Sequence, residues 1–112
     1  MESLRDVVSK LCIDSGFDDE TAWFVIDTYL RQSKDLLENA YTQLNDGSDE
    51  SYKVMEGLMH KLKGSSGNIR AFGLMNLALS AEESAKERDY EALRVHIDHI
   101  AEILEKYVNE RS

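Results

Sequence analysis

The chain has 112 residues, no proline, 42% hydrophobic and 31% charged residues, and a formal net charge of −9. That length suits one domain with a single modest core, and no apolar run approaches the ~20 residues of a membrane-spanning helix. The acidic balance argues against nucleic acid and anionic membrane surfaces as partners, whose phosphates it would repel.

Leu4, Val7, Val8 and Leu11 recur at helical spacing and Gly16 is a stop, which predicts an amphipathic helix over residues 2–15. The first residues, Met1 to Asp6, are acidic and polar, unlike a signal peptide. Cys12 falls on the apolar side of this helix; a lone cysteine excludes an internal disulfide, suits a reducing cytoplasm and reads as a buried, inert thiol. Asp18 or Asp19 caps the next helix, in which Ile26, Leu30, Ser33, Leu37, Ala40 and Leu44 hold one stripe. Residues 19–45 are therefore one long helix or two joined by a bend, with Phe17, Trp23 and Phe24 expected to close the end of the core. Asn45-Asp46-Gly47-Ser48 is a turn, and Ser48 caps a third helix whose inward stripe is Val54, Leu58, Leu62, Ser65 and Ile69.

That helix ends near Gly67-Asn68. A fourth starts near Ala71 and turns Leu74, Leu77, Ala78, Ala81 and Ala85 inward. Asp89 caps a fifth, with Leu93, Ile97, Ile100, Leu104 and Tyr107 on its inner side. Nothing alternates with the period of a strand. The expected fold is all-α: an antiparallel up-and-down four-helix bundle over residues 18–112, with an additional short N-terminal helix within 1–17, together one domain.

At about 100° per residue, His60 lies almost opposite the Val54–Leu58–Leu62–Ser65–Ile69 stripe and so faces solvent. Gly57 and Gly64 stand one turn to either side of it, Gly67 a turn further, and Lys63 is its neighbour on the same face. A glycine inside a helix costs about 1 kcal/mol relative to alanine. Glycines turned away from the core give an exposed imidazole clearance for something large. Neutral imidazole is a nucleophile near neutral pH, and a lysine ammonium suits a phosphate.

The run His60-Lys61-Leu62-Lys63-Gly64-Ser65-Ser66 resembles the signature of histidine-containing phosphotransfer (HPt) domains, His-x-hydrophobic-Lys-Gly-small-small, and the resemblance extends over roughly residues 18–108. It implies that His60 is phosphorylated through Nε2 and exchanges the group with an aspartate of response-regulator receiver domains, fed by an upstream hybrid histidine kinase. It implies that Lys63 steadies the phosphoryl group and Gly64 admits the receiver. The receiver supplies Mg2+, so the chain needs no cofactor or metal of its own and acts as a phosphocarrier without an ATP site. A cytoplasmic monomer is expected, and a helix beginning almost at Met1 favours a free-standing shuttle over the excised end of a kinase.

Two positions depart from the family pattern. Arg70 stands where many members have glycine, so the turn there either changes its backbone conformation or shifts towards Gly73. Glu82 stands where a glutamine often approaches the histidine. A carboxylate can accept the imidazole N–H and orient the ring, but cannot donate to a phosphoryl oxygen; Glu82 is expected to orient His60 and modestly destabilise phosphohistidine. Met75 and Leu79, on the side of Glu82 with Phe72 close by, form an expected apolar docking patch rimmed by Glu56 and Lys61.

His96 and His99, near Asp98 and Glu102, lack the Glu-x-x-His pairs of di-iron bundles and read as structural. The alternative function is a helical adaptor that binds a signalling partner through the same exposed face without being phosphorylated.

Overall fold

The computed structural model describes residues 2–112; Met1, included in the expected N-terminal segment, lies outside the described residues. It contains five helices: α1 (Leu4–Ser15), α2 (Asp19–Asp46), α3 (Asp49–Asn68), α4 (Phe72–Lys86) and α5 (Tyr90–Arg111). Helix α2 is unbroken. Its 28 residues span about 42 Å at about 1.5 Å each, which sets the 44 Å long axis of the molecule. Helices α2 to α5 close a ring in which each packs on the next and α5 returns to α2, the α3–α4 contact being the most extensive. No helix among the described residues is long and apolar enough to cross a membrane.

The α2 stripe is buried throughout, as are Leu93, Ile97, Ile100, Leu104 and Tyr107 of α5. Helix α3 is turned differently from the expected stripe. Its buried face is Tyr52, Met55, Leu58, Met59, Leu62 and Ser66, whereas Val54 and Ser65 are only half-buried. The inward direction is rotated towards the methionines because α3 packs on both α2 and α4, which demands a wide apolar arc rather than one seam. Buried Ser66 answers to this rotation: its hydroxyl and that of Tyr29 on α2 share a 2.7 Å hydrogen bond. On α4, Leu74, Ala78, Ala81 and Ala85 are buried and Leu77 is half-buried.

The aromatic residues at the α2 start behave differently from the expectation. Phe24 is 73% exposed and Phe17 is also exposed. Trp23 alone packs against the core, with the Arg111 guanidinium stacked 4.4 Å over its ring and gripping Asp27 at 2.8 and 3.1 Å. The end that they were expected to close is covered by α1 instead, through Leu4, Val7, Val8 and Leu11. Cys12 is half-buried rather than buried; burial and then the charge of Asp19 push its thiol pKa up, which keeps it protonated and unreactive.

Every helix but α4 has a side-chain cap at its N-terminus. Ser3, Asp18, Ser48 and Asp89 accept from the first turns of the other four, and Ser3 forms a full capping box with Asp6. Ala71 at the α4 start has no such group. The carboxylate of Glu2 supplies one from outside the helix, accepting from the Gly73 N–H at 3.2 Å. Glu2 also pairs with Lys10 and receives the Tyr107 hydroxyl on its carbonyl, so the segment before α1 is fastened to α4 and α5.

Two arginines end α3 and α4 in the same way. Arg70 (φ 71°) and Arg88 (φ 57°) both take the left-handed conformation that usually falls to glycine. The turn after α3 therefore stays at residue 70 and does not move to Gly73. In each case the residue after the arginine donates back five positions, Ala71 to the Ser66 carbonyl and Asp89 to the Ser84 carbonyl, closing a Schellman motif. Each guanidinium folds over the helix end to carbonyls three and two residues back, and its Nε pairs with a distant aspartate: Arg70 with Asp14 at 2.8 Å, Arg88 with Asp49 at 2.9 Å. These contacts offset the left-handed strain of about 1–2 kcal/mol. Arg70→Ala and Arg70→Gly both lose them, but only glycine relieves the backbone. The alanine variant should be less stable than the glycine variant by about 1 kcal/mol in urea unfolding; coincident midpoints would show that residue 70 carries no strain.

Candidate functional site

The exposed face of α3 is occupied by Lys53, Gly57, His60, Lys61 and Gly64. A Cβ at Gly57 or Gly64 would meet no described atom within 4 Å, so both glycines border open space. The ring of His60 stands between them with its side chain 67% exposed. Despite that exposure the ring is held on one side. Its Nδ1 lies 3.0 Å from Oε2 of Glu82, and the second oxygen of the same carboxylate accepts from Lys63 Nζ, also at 3.0 Å.

Glu82 reaches both groups because α4 lies close to α3. Its side chain is 7% exposed, and its surroundings on α4 are small: Ala78, Ala81, Ser84 and Ala85. Burial raises its pKa, but hydrogen bonds from Lys63 and then His60, with the charges of both, outweigh this and hold it below the ordinary carboxylate value. Glu82 is thus an anion, and an anionic carboxylate can only accept. The proton of the neutral His60 ring is accordingly assigned to Nδ1, which leaves Nε2 with its lone pair.

The remaining residues singled out from the sequence divide into two groups. Glu56 and Gly57 join His60 and Glu82 in lining a shallow open hollow on the α4 side of the ring. Lys53, also in that hollow, was not recognised in the sequence, although its place seven residues before His60 puts it on the same face. Lys61 points the other way, into a groove between α2 and α3 lined also by Gln32, Asp35, Leu36, Asn39, Leu58 and Ser65. Leu79 is 40% exposed and Met75 half-buried on the α4 flank, while Phe72 sits under the Lys10 ammonium.

Gly67 departs from its expected place. It does not open space in front of the histidine. A Cβ there would stand 3.1 Å from Sδ of Met75, so it is a point of close approach between α3 and α4. Met75 is correspondingly engaged inside the helix pair as well as at its surface.

His96 is half-buried and His99 exposed on α5, and the neighbouring Asp98 accepts the Tyr41 hydroxyl at 2.5 Å. Among the described residues no three His, Cys, Asp or Glu side chains are grouped as metal ligands.

The lowered pKa of Glu82 fixes the sign of a pH effect. Its folded value lies below its unfolded one, so its ion pairs stabilise the fold above the ordinary carboxylate range, and this is lost as pH falls through the folded value. Wild type should exceed Glu82→Gln in urea midpoint at neutral pH, and the gap should close below about pH 4. A gap that persists in acid would assign the stabilisation to packing rather than charge.

A family model described as the Hpt domain matches residues 25–110. No curated protein and no solved structure matches the chain.

Proposed function

The chain belongs to the Hpt domain family, whose members carry phosphoryl groups in two-component phosphorelays, and on that premise we propose that His60 is its phosphorylated residue. Hpt domains are phosphocarriers rather than kinases, and the family implies interaction with kinases and response regulators. The observation that carries the reading is the His60–Glu82 contact: an exposed ring with its Nδ1 proton held from behind and Nε2 left to attack.

In this reading the Nε2 lone pair attacks the phosphorus of a receiver's aspartyl phosphate, the bond to the aspartate oxygen breaks, and the aspartate leaves as a carboxylate. Phosphoryl transfer depends mainly on positioning and charge stabilisation, so a small bundle can serve as one half of the site while the receiver brings its metal and acid residues. Lys63 starts out bound to Glu82 and offers its charge to the phosphoryl group beside it. Glu82 orients the ring and shortens the life of the phosphohistidine. The functional unit is residues 18–112, with α1 as an addition that covers one end of the bundle.

Receiver docking is read over the glycine face of α3. Gly57 borders the hollow on the α4 side of His60, Gly64 follows the ring one turn on, Lys61 turns towards the α2–α3 groove, and Leu79 with the exposed part of Met75 lies on the α4 flank. The footprint accordingly straddles α3, with contacts on both α2 and α4, and Glu56 and Lys61 at its rim.

A phosphorylated receiver domain carrying labelled phosphate should pass acid-labile, base-stable label to the wild type and none to His60→Gln. Label on the His60→Gln variant would place the chemistry elsewhere; a wild type that takes no label from any receiver but still binds one would support the adaptor reading. Gly64→Leu separates clearance from folding. With open space at the Cβ, the variant should gain about 0.5–1 kcal/mol of helix stability, while transfer falls at least about tenfold, or about 1.4 kcal/mol of barrier. Undiminished transfer by that variant would remove Gly64 from the docking face.

A further inference from the structure

We propose that the seam between α2 and α5 is an interface at which two copies of this chain pair back to back, with both His60 faces turned outward. The inference does not rest on the reading of His60, and it departs from the expected monomer. Within the ring of helices the α2–α5 contact is the least extensive, and it lies across the bundle from the α3–α4 pair that carries His60 and Glu82. The seam is clamped towards each end: Arg111 grips Asp27 and stacks on Trp23, and Tyr41 donates to Asp98. Between the clamps runs a groove of about 470 Å3 with an apolar floor of Leu30, Leu37, Ala101, Leu104 and Val108.

The two banks of this groove carry opposite charge. Arg31 and Lys34 stand on the α2 bank and Glu105 on the α5 bank, with Glu102 one turn before it. All four are exposed, and among the described residues none of them has a salt-bridge partner. The charges at the clamps are different, since Asp27 pairs with Arg111 and Asp98 with Arg94. In a chain of net charge −9, two unpaired cations beside an apolar groove favour an acidic counterpart that also brings apolar surface. The opposite bank of the same groove, in a second copy, has both.

The clamps set the register. Asp27 stands level with Arg111 and Tyr41 with Asp98, so along the antiparallel pair Lys34 stands level with Glu105 and Arg31 with Val108. A two-fold axis parallel to the helices lays α2 of each copy over α5 of the other at that same level. Arg31 and Lys34 then meet Glu105 of the second copy, twice over, as an isologous interface requires. A two-fold axis across the helices would set cation against cation instead. The apolar floors come together, covering Val108, which is 47% exposed, while Phe24, two turns before Arg31 and 73% exposed, comes against the end of the second copy's α5. One contact opposes the pairing: Glu38, two turns after Arg31, comes near Glu102 of the second copy. The molecule measures 44 by 24 by 20 Å, so one long side offers about the 800 Å2 that each partner gives to a standard interface. The opposed acids and the net charge make the association weak. Each pair presents two His60 sites on opposite sides, and neither glycine face is covered.

The test is sedimentation equilibrium of the full chain at about 0.15 M salt, where charges more than about 8 Å apart are largely screened. Between about 10 µM and about 1 mM, the average mass should climb from the 12.8 kDa of one chain towards twice that value. Reversing one bank, in Arg31→Glu/Lys34→Glu or in Glu105→Lys, should weaken self-association at least about tenfold. Mixed one to one, the two reversed variants should associate again, because each acidic bank of one then meets a basic bank of the other. Glu38→Lys, which turns the opposed contact into an attraction, should tighten the pairing. A mass that stays at one chain up to about 1 mM overturns the inference and leaves the groove to a partner of another kind. A dimer indifferent to both reversals overturns it by placing the contact elsewhere. So do reversed variants that keep their helix content by circular dichroism yet stay single when mixed. Failure of phosphotransfer at His60 would leave all of these readings unchanged.

Discussion

The close pairing of α3 with α4 is the constraint on which the site depends. The buried side of α4 is built largely from alanine, and α3 presents Gly67 where Met75 comes against it. Helix separation follows the bulk of the side chains at the contact. With larger residues there, a glutamate on α4 would fall short of the α3 surface. At the distance these small residues allow, Glu82 spans the gap and grips two side chains one turn apart. Its ends are secured as well: Arg70 and Arg88 finish the two helices with the same left-handed turn, and Glu2 supplies the α4 cap that Ala71 lacks.

The charge distribution sets this face apart from the rest of the molecule. The chain as a whole is strongly acidic, a poor starting point for meeting a phosphate dianion. The exposed surface of α3 collects Lys53, Lys61 and Lys63 around His60, with Glu56 and the buried Glu82 as the acids nearby. Local cations therefore oppose the repulsion that the net charge would impose at the approach to Nε2. Glu82 is the exception that the cations accommodate, since its charge is consumed by Lys63 and the ring rather than presented to solvent.

Much of this was legible in the sequence. Four of the five helices' inner faces follow from spacing alone, and several helix ends follow from their caps, Gly16 for α1, Asp18 and Gly47 for α2, Ser48 for α3 and Asp89 for α5, whereas α4 starts at Ala71 and the turns after α3 and α4 fall to arginines. The outward position of His60 between Gly57 and Gly64 followed from the helical repeat; Glu82 was expected on the outward side of α4 with Met75 and Leu79, yet it is buried. Three further features were not legible. The rotation of α3 towards Met55, Met59 and Ser66 depends on its having two packing partners, which a single-stripe reading of Val54 and Ser65 does not see. Gly67 reads like its neighbours in sequence, and only the position of Met75 separates a packing glycine from a clearance glycine. Phe24 and Phe17 read as core by residue type, yet α1 takes the place they would have filled. In each case the missing information was which other helix stood opposite.

The two outward glycines also bear on whether the motif could be moved elsewhere. A 20-residue helix on its own is marginal in water, and α3 carries Gly57 and Gly64 in its interior, each weakening it by about 1 kcal/mol. Cut out as a peptide, the segment would lose the helix that sets His60 and Lys63 one turn apart, and with α4 absent it would lose Glu82 altogether. The signature is contiguous in sequence, but the chemistry it marks is not portable. It belongs to the assembled bundle, and a shorter mimic would have to import the neighbouring helix along with the histidine.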